Sequence, residues 1–186
     1  MKIAKTPLIT AACMGLLTLL PLAVLAAAAT ENLIVNGNFE SADGNGEVPG
    51  WKVSGDARYV KLIKENGSQF LRIELPEVTY CGVAQSFDVG SDWAGIYVSA
   101  KLRLAHLKKG PENHNTATVI YTFQDAQGQH VGDWSQSMVM QDQDWTEVKG
   151  KVDSLPPGAV KLLVQVGFMN AAGTLDIDDI VVGAAK

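Results

Sequence analysis

The chain has 186 residues, a formal net charge of −5 and 47% hydrophobic residues, enough for one domain with a substantial core. Its 20 carboxylates outnumber 15 lysines and arginines, and a negative surface repels nucleic acid and anionic lipid, so neither is expected as a partner. Two cysteines, Cys13 and Cys81, are too few for a disulfide scaffold.

Lys2 and Lys5 open the chain, followed by an apolar run over 8–25 and the four alanines 26–29. A basic start, a short apolar stretch and an Ala-rich end read as a secretory signal peptide over 1–29, cleaved near Ala29. The run is shorter than the ~20 residues a spanning helix needs, and Pro21 interrupts it. Cys13 lies inside the run rather than just after it, which argues against a lipid anchor. The expected product is residues 30–186, secreted or periplasmic, with no membrane insertion once the leader is gone. Loss of Lys2 and Lys5, with no acid in the leader, takes the charge from −5 to −7. Cys81 is then the sole thiol, read as a small buried hydrophobe with a reactive thiol as the alternative.

In chain order, residues 32–40 read as a short apolar strand running into an Asn/Gly turn that ends in Glu40. A polar, Gly-rich loop over 40–50 delivers Trp51. Strands are expected at 58–64 and 70–75, joined by the tight-turn pair Asn66–Gly67, with Pro76 breaking the second. A strand at 83–89 puts Val83, Phe87 and Val89 on one side. The longest alternation follows, with Ile96, Val98, Ala100, Leu102 and Leu104 inward and Tyr97, Ser99, Lys101 and Arg103 outward. Another strand, 116–124, turns Ala117, Val119, Tyr121 and Phe123 to one face and Thr118, Ile120, Thr122 and Gln124 to the other. The segments 145–152 and 160–168 are strands separated by the Pro156–Pro157 turn. The last strand, 173–182, alternates Leu175, Ile177 and Val181 with Asp176, Asp178 and Ile180. Asp178 and Asp179 sit in this apolar run, so at least one must meet a donor or a cation. No segment after the leader shows a sustained 3.6-residue stripe. Many short strands between turn residues make one all-β domain, a sandwich or barrel.

Catalytic signatures are missing. There is no Gly-x-Ser-x-Gly, no His-Glu-x-x-His and no phosphate-cradling loop. His106, His114 and His130 stand apart in sequence, and the nearness of Glu74 to Glu77 does not make the carboxylate geometry of a glycosidase.

The opening Asn-Leu-Ile-Val-Asn-Gly-Asn-Phe-Glu (32–40), the Pro-Gly-Trp of 49–51 and the closing Leu-Asp-Ile-Asp-Asp-Ile-Val-Val (175–182) resemble carbohydrate-binding modules of the family 4, 9 and 22 type. The order of the segments between them follows the same plan from Asn32 to Val182. The resemblance implies a jelly-roll β-sandwich of galactose-binding-like topology, with first and last strands side by side around a structural calcium ion. Glu40 and Asp178 match the family's acid positions, Asp179 is a further candidate ligand, and carbonyls of the 36–38 turn are helpers. The alternative is an acid bonded to backbone N–H groups.

Such modules usually accompany a catalytic domain, so a free-standing module working beside separate glycoside hydrolases is implied. Sugar recognition pairs an aromatic platform with planar polar groups. The candidate carbohydrate-binding residues are Tyr97, Lys101 and Arg103 in the central row, Thr122, Gln124 and Gln165 on neighbouring strands, and Tyr80 and Trp134 in loops. They converge on one face if their strands share a sheet; an ordinary solvated sheet face is the alternative. Trp51 and Trp145 are expected in the core, and Trp93 is open between core and surface. The expected function is non-catalytic binding of a polysaccharide or oligosaccharide. A cell-envelope protein-interaction domain and a small glycan-cleaving jelly roll are the rivals.

Overall fold

A computed structural model describes residues 32–42 and 48–186. The expected signal peptide, and residues 43–47 of the Gly-rich loop, lie outside the described residues. Eight strands follow in order: β1 (Lys52–Ser54), β2 (Val60–Glu65), β3 (Ser68–Asp88), β4 (Gly95–Lys109), β5 (Ala117–Gln124), β6 (His130–Val139), β7 (Gln143–Val152) and β8 (Lys161–Ala185). The single helical element among the described residues is a 3-10 turn, Ala57–Tyr59, so none is long and apolar enough to cross a membrane.

Two long strands hold the architecture together. β3 and β8 pair with each other along most of their length, and each bends from one sheet into the other. The first sheet runs β1, the second half of β3, the first half of β8, β5 and β6. The second runs β2, the first half of β3, the second half of β8, β4 and β7. Every pairing is antiparallel, and the register slips of β3 between Leu75 and Cys81 mark its bend. Between the sheets, Val98, Leu102 and Leu104 of β4 meet Val119, Phe123, Val164 and Val166 of the opposite layer, all buried in one core cluster. The result is the expected all-β jelly-roll sandwich.

Local chemistry explains the elements that were foreseen. β2 and β3 turn through Asn66 and Gly67, both at positive φ (52° and 88°), the mirror-image turn whose twist matches a hairpin. The inward row of β4 and the row Ala117, Val119, Tyr121 and Phe123 are buried as their alternation predicts. Cys81 is fully buried in the core, where loss of solvation pushes its thiol pKa up. Trp51 packs against the core and Phe39, and donates its indole N–H to the Asn36 carbonyl at 3.1 Å. Trp93 also packs against the core.

Other expectations are corrected. Residues 32–36 form no strand, yet they do run beside the last one: the Leu33 N–H bonds the Val182 carbonyl at 2.8 Å and the Ile180 N–H bonds the Gly37 carbonyl at 2.9 Å. Pro76 bends β3 without ending it, because the strand loses its register there and resumes pairing at Thr79. β6 was not anticipated, since its sequence is polar and its pairing slips opposite Tyr121 and Phe123. Tyr80 and Trp134 therefore lie in strands, not loops. In β8, Asp179 takes φ 46° and, with Ile180, opposes Ala100 alone. This bulge reverses the alternation, so Ile180, Val182 and Ala184 point inward instead of Val181. The acid that is fully buried is Asp176, at 2% exposure, rather than either of its two neighbours.

Candidate functional site

The expected single face does not form. β4 belongs to the second sheet, while β5 and the first half of β8 belong to the first. Tyr97, Lys101 and Arg103 thus stand on one outer face of the sandwich, and Gln124, Gln165 and Trp134 on the other. Tyr80 lies at the bend of β3, lining a cavity of about 610 Å³ with Asp56, Tyr59 and Glu77.

The outer face of the first sheet is built in cross-strand rows. One row runs Gln136, Ile120, Gln165, Ala84 and Lys52; the next runs Met138, Thr118, Gly167, Gly82 and Ser54. Thr118, Ile120 and Thr122 are buried although they point away from the core cluster. Apart from Lys52 on the edge strand β1, the polar side chains on this face are neutral: Gln165 and Gln124 are half-buried and Gln136 is exposed. Charge appears at the rim, where Lys161 pairs with Asp88 at 2.8 Å. Along the edge strand β6, Trp134, Gln136 and Met138 point outward in alternation while Ser137 and Val139 turn inward. Trp134 is 69% exposed, and its ring stacks on His130 at 4.9 Å. An exposed indole on the edge strand of an amide-bearing sheet face presents an apolar platform beside hydrogen-bonding groups.

The outer face of the second sheet is a charged lattice. Asp176 accepts from Arg72 Nε at 2.6 Å and from Arg103 Nε at 2.8 Å, and Arg103 reaches on to Glu65 at 3.1 Å. Hydrogen bonds donated to Asp176 raise the pKa of Arg72; burial works against Arg103, but Asp176 and Glu65 outweigh it and raise its pKa too. Arg103 also lies 4.8 Å from the Trp145 ring centroid and 5.3 Å from that of Phe70. Trp145 is therefore not a core residue. It packs edge-on against Phe70 on this outer face, and both lie outside the core cluster.

No protein-family model matches the chain, and no curated protein matches it. Solved structures do. A family 61 carbohydrate-binding module in complex with β-1,4-galactotriose is 19% identical over 84% of this chain and all of its own, with a TM-score of 0.57. The first family 22 xylan-binding domain of Paenibacillus barcinonensis Xyn10C is 21% identical over 87% of this chain and 99% of its own, with a TM-score of 0.54. The fold is that of the carbohydrate-binding modules. A family 4 module is among the matches as well, in keeping with the resemblance in the sequence. The enzymatically active domain of tailspike protein 4 of bacteriophage CBA120 matches with a TM-score of 0.60 and 16% identity, but this chain spans only 21% of it.

In this module fold, the residues expected to hold calcium are distributed as follows. Asp179 is taken by Lys101 at 2.8 Å. Glu40 accepts from the Gln69 N–H at 2.9 Å and the Ser68 hydroxyl at 3.1 Å. Asp178 accepts from the Asp179 N–H at 2.8 Å. Burial pushes the Asp178 carboxyl up to about 6, and the charges of Asp179 and Glu40 add to the rise. Among the described residues, no three His, Cys, Asp or Glu side chains gather closely enough to hold a metal ion. The charge of Glu40 is near enough to push the Asp178 carboxyl up, while Lys101 works the other way. The Gly37 carbonyl, in the turn just before Glu40, accepts from the Ile180 N–H and keeps a second lone pair. Two carboxylates with backbone carbonyls are a donor set of the kind calcium takes.

Proposed function

We propose that this chain is a non-catalytic carbohydrate-binding domain, secreted or periplasmic after loss of its leader. It holds a polysaccharide or oligosaccharide against the outer face of the first sheet. The observation that carries this reading is the exposed Trp134 ring at the edge of a sheet face that is amide-bearing and almost free of charge. Trp134 covers the C–H face of a sugar ring, and the amides of Gln136, Gln165 and Gln124 bond its hydroxyls. The matched modules covered nearly end to end support it, one in complex with a galactotriose and one described as xylan-binding. The domain works beside separate glycoside hydrolases by keeping its ligand in place and does not cleave it. A calcium ion bound by Glu40 and Asp178 would tie the start of the domain to its last strand, a structural task with no part in sugar chemistry.

Affinity electrophoresis of the mature protein through xylan, β-glucan, mannan, galactan and starch tests the reading, with released sugar assayed in parallel. Retardation by one polymer without sugar release is the expected result. Free migration through all five, or reducing sugar in the gel, would refute it. Mass analysis of the exported protein is expected to begin near Thr30. Chelation is expected to lower the thermal midpoint, and an unchanged midpoint would remove the calcium.

A further inference from the structure

Glycan capture on the first sheet leaves a feature of the second unused. Two concavities of about 490 and 480 Å³ lie along the outer side of β4 and β7 and meet at Glu147, which lines both. Tyr97 lines one and Trp145 the other. Tyr97 pairs with Lys151, and Trp145 lies six residues back along β7, so the two rings are roughly 20 Å apart at the ~3.4 Å rise of an antiparallel strand. That is the span of several linked pyranose rings.

Both aromatic groups are held in place. The Tyr97 ring lies directly over Gly183, in space that any Cβ at that position would fill. Trp145 is braced by Phe70 at 5.3 Å and by the guanidinium of Arg103, itself fixed by buried Asp176 and by Glu65. A platform already ordered loses little entropy when a ligand arrives. Between the rings the trough offers the hydroxyl of Ser99, the ammonium groups of Lys101, Lys149 and Lys151, and the carboxylates of Glu65, Glu147 and Asp178. Three cations balance three acids, and several already pair among themselves or with neighbours: Lys149 with Glu147, Lys101 with Asp179 and Lys151 with Asp153. Donors and acceptors alternate with no net charge to select an ion. This chemistry suits a neutral, hydroxyl-rich chain better than a uronate or an amino sugar.

We propose that this trough, from Tyr97 to Trp145, is a second carbohydrate site for a neutral oligosaccharide, on the side of the sandwich opposite Trp134. The inference rests on the reading of the domain as a sugar binder but not on the Trp134 face. Two sites facing away from each other let one domain bridge two glycan chains, and polymer binding then gains through avidity.

Calorimetric titration of the mature protein with xylohexaose, cellohexaose, mannohexaose and β-1,4-galactotriose tests it. Trp145→Ala removes the brace of Arg103 and is open to misfolding, so the trough is blocked with Ser99→Trp and trimmed with Tyr97→Ala, both on the solvent side of β4. The expected result is two sites per protein, one lost in Trp134→Ala and the other in Ser99→Trp, with a several-fold weaker second site in Tyr97→Ala. A single site abolished by Trp134→Ala and untouched by Ser99→Trp would overturn the second site and leave the proposed function standing. A single site lost only in Ser99→Trp would support the trough and remove the one at Trp134. No heat with any probe would overturn both.

Discussion

On the first sheet the outward positions of β5 and β8 hold Thr118, Ile120, Thr122 and Gln165, none of them charged. The matching positions of the second sheet hold Arg72, Asp176, Lys101 and Arg103, tied to one another and to Glu65 and Asp179. The two faces solve the same problem, an outer sheet surface that must not collapse or aggregate, in different ways. The neutral face leaves amides and an indole facing water, ready for a ligand to replace that water. The charged face spends its arginines and Asp176 on one another, and Arg103 holds Trp145 still. A polar row in a strand therefore does not announce a binding face; whether its groups are already bonded to each other decides what they have left to offer.

The comparison makes its largest prediction at Asp176. Asp176→Ala leaves two half-buried guanidinium groups without their common partner and is expected to cost ~3–5 kcal/mol, the range for breaking a buried ion pair. Urea denaturation of the variant measures it, and a loss below 1 kcal/mol would mean the lattice is not structural. Trp134→Ala is expected to do the reverse, weakening polymer binding about tenfold or more, since one stacked ring contributes ~1.5 kcal/mol beyond its buried area. Its thermal midpoint should stay within a degree or two of the parent, because the ring is mostly in water.

A smaller effect is expected at Asp178, whose carboxyl in the folded domain is pushed up to about 6 by burial. A raised acid favours the folded state most when protonated, below the ordinary carboxylate range near 4. That contribution is lost as pH rises through about 6. In chelator, Asp178→Asn should gain stability at pH 7.5 and none at pH 3.5. The gain is about 1 kcal/mol, discounted from ~3 because the group is only half-buried. Equal gains at both pH values would place its origin elsewhere. The smallest effect is expected at Lys161→Ala, which removes an exposed ion pair to Asp88 and should shift stability by less than ~0.5 kcal/mol.

Much of the sandwich was legible in the sequence because alternation is local. The inward rows of β4 and β5 could be read residue by residue, the Asn66–Gly67 hairpin follows from the φ values its two residues tolerate, and the buried thiol of Cys81 from its lack of a partner. β6 was not legible: its residues alternate around a slipped register, and its polar sequence resembles a loop until β5 supplies a partner. Trp134 was singled out as a surface aromatic by its polar neighbours. Trp145 was expected in the core and lies on an outer face, since nothing in its surroundings in sequence reveals Phe70 or Arg103.

By itself the sequence determined the all-β class, the inward rows and the acidic character. Each depends on spacing or composition within a short window, which backbone geometry translates directly into a face. Only the tertiary structure decided which sheet each strand joins, where β8 bulges at Asp179, and which acid lies buried between two arginines. Those outcomes depend on pairings between residues tens of positions apart, Arg72 with Asp176 and Ala100 with Ile180 among them, and no local pattern encodes such a pairing. The face expected to bind was therefore split in two by the fold, although the sequence had pointed to residues on both halves.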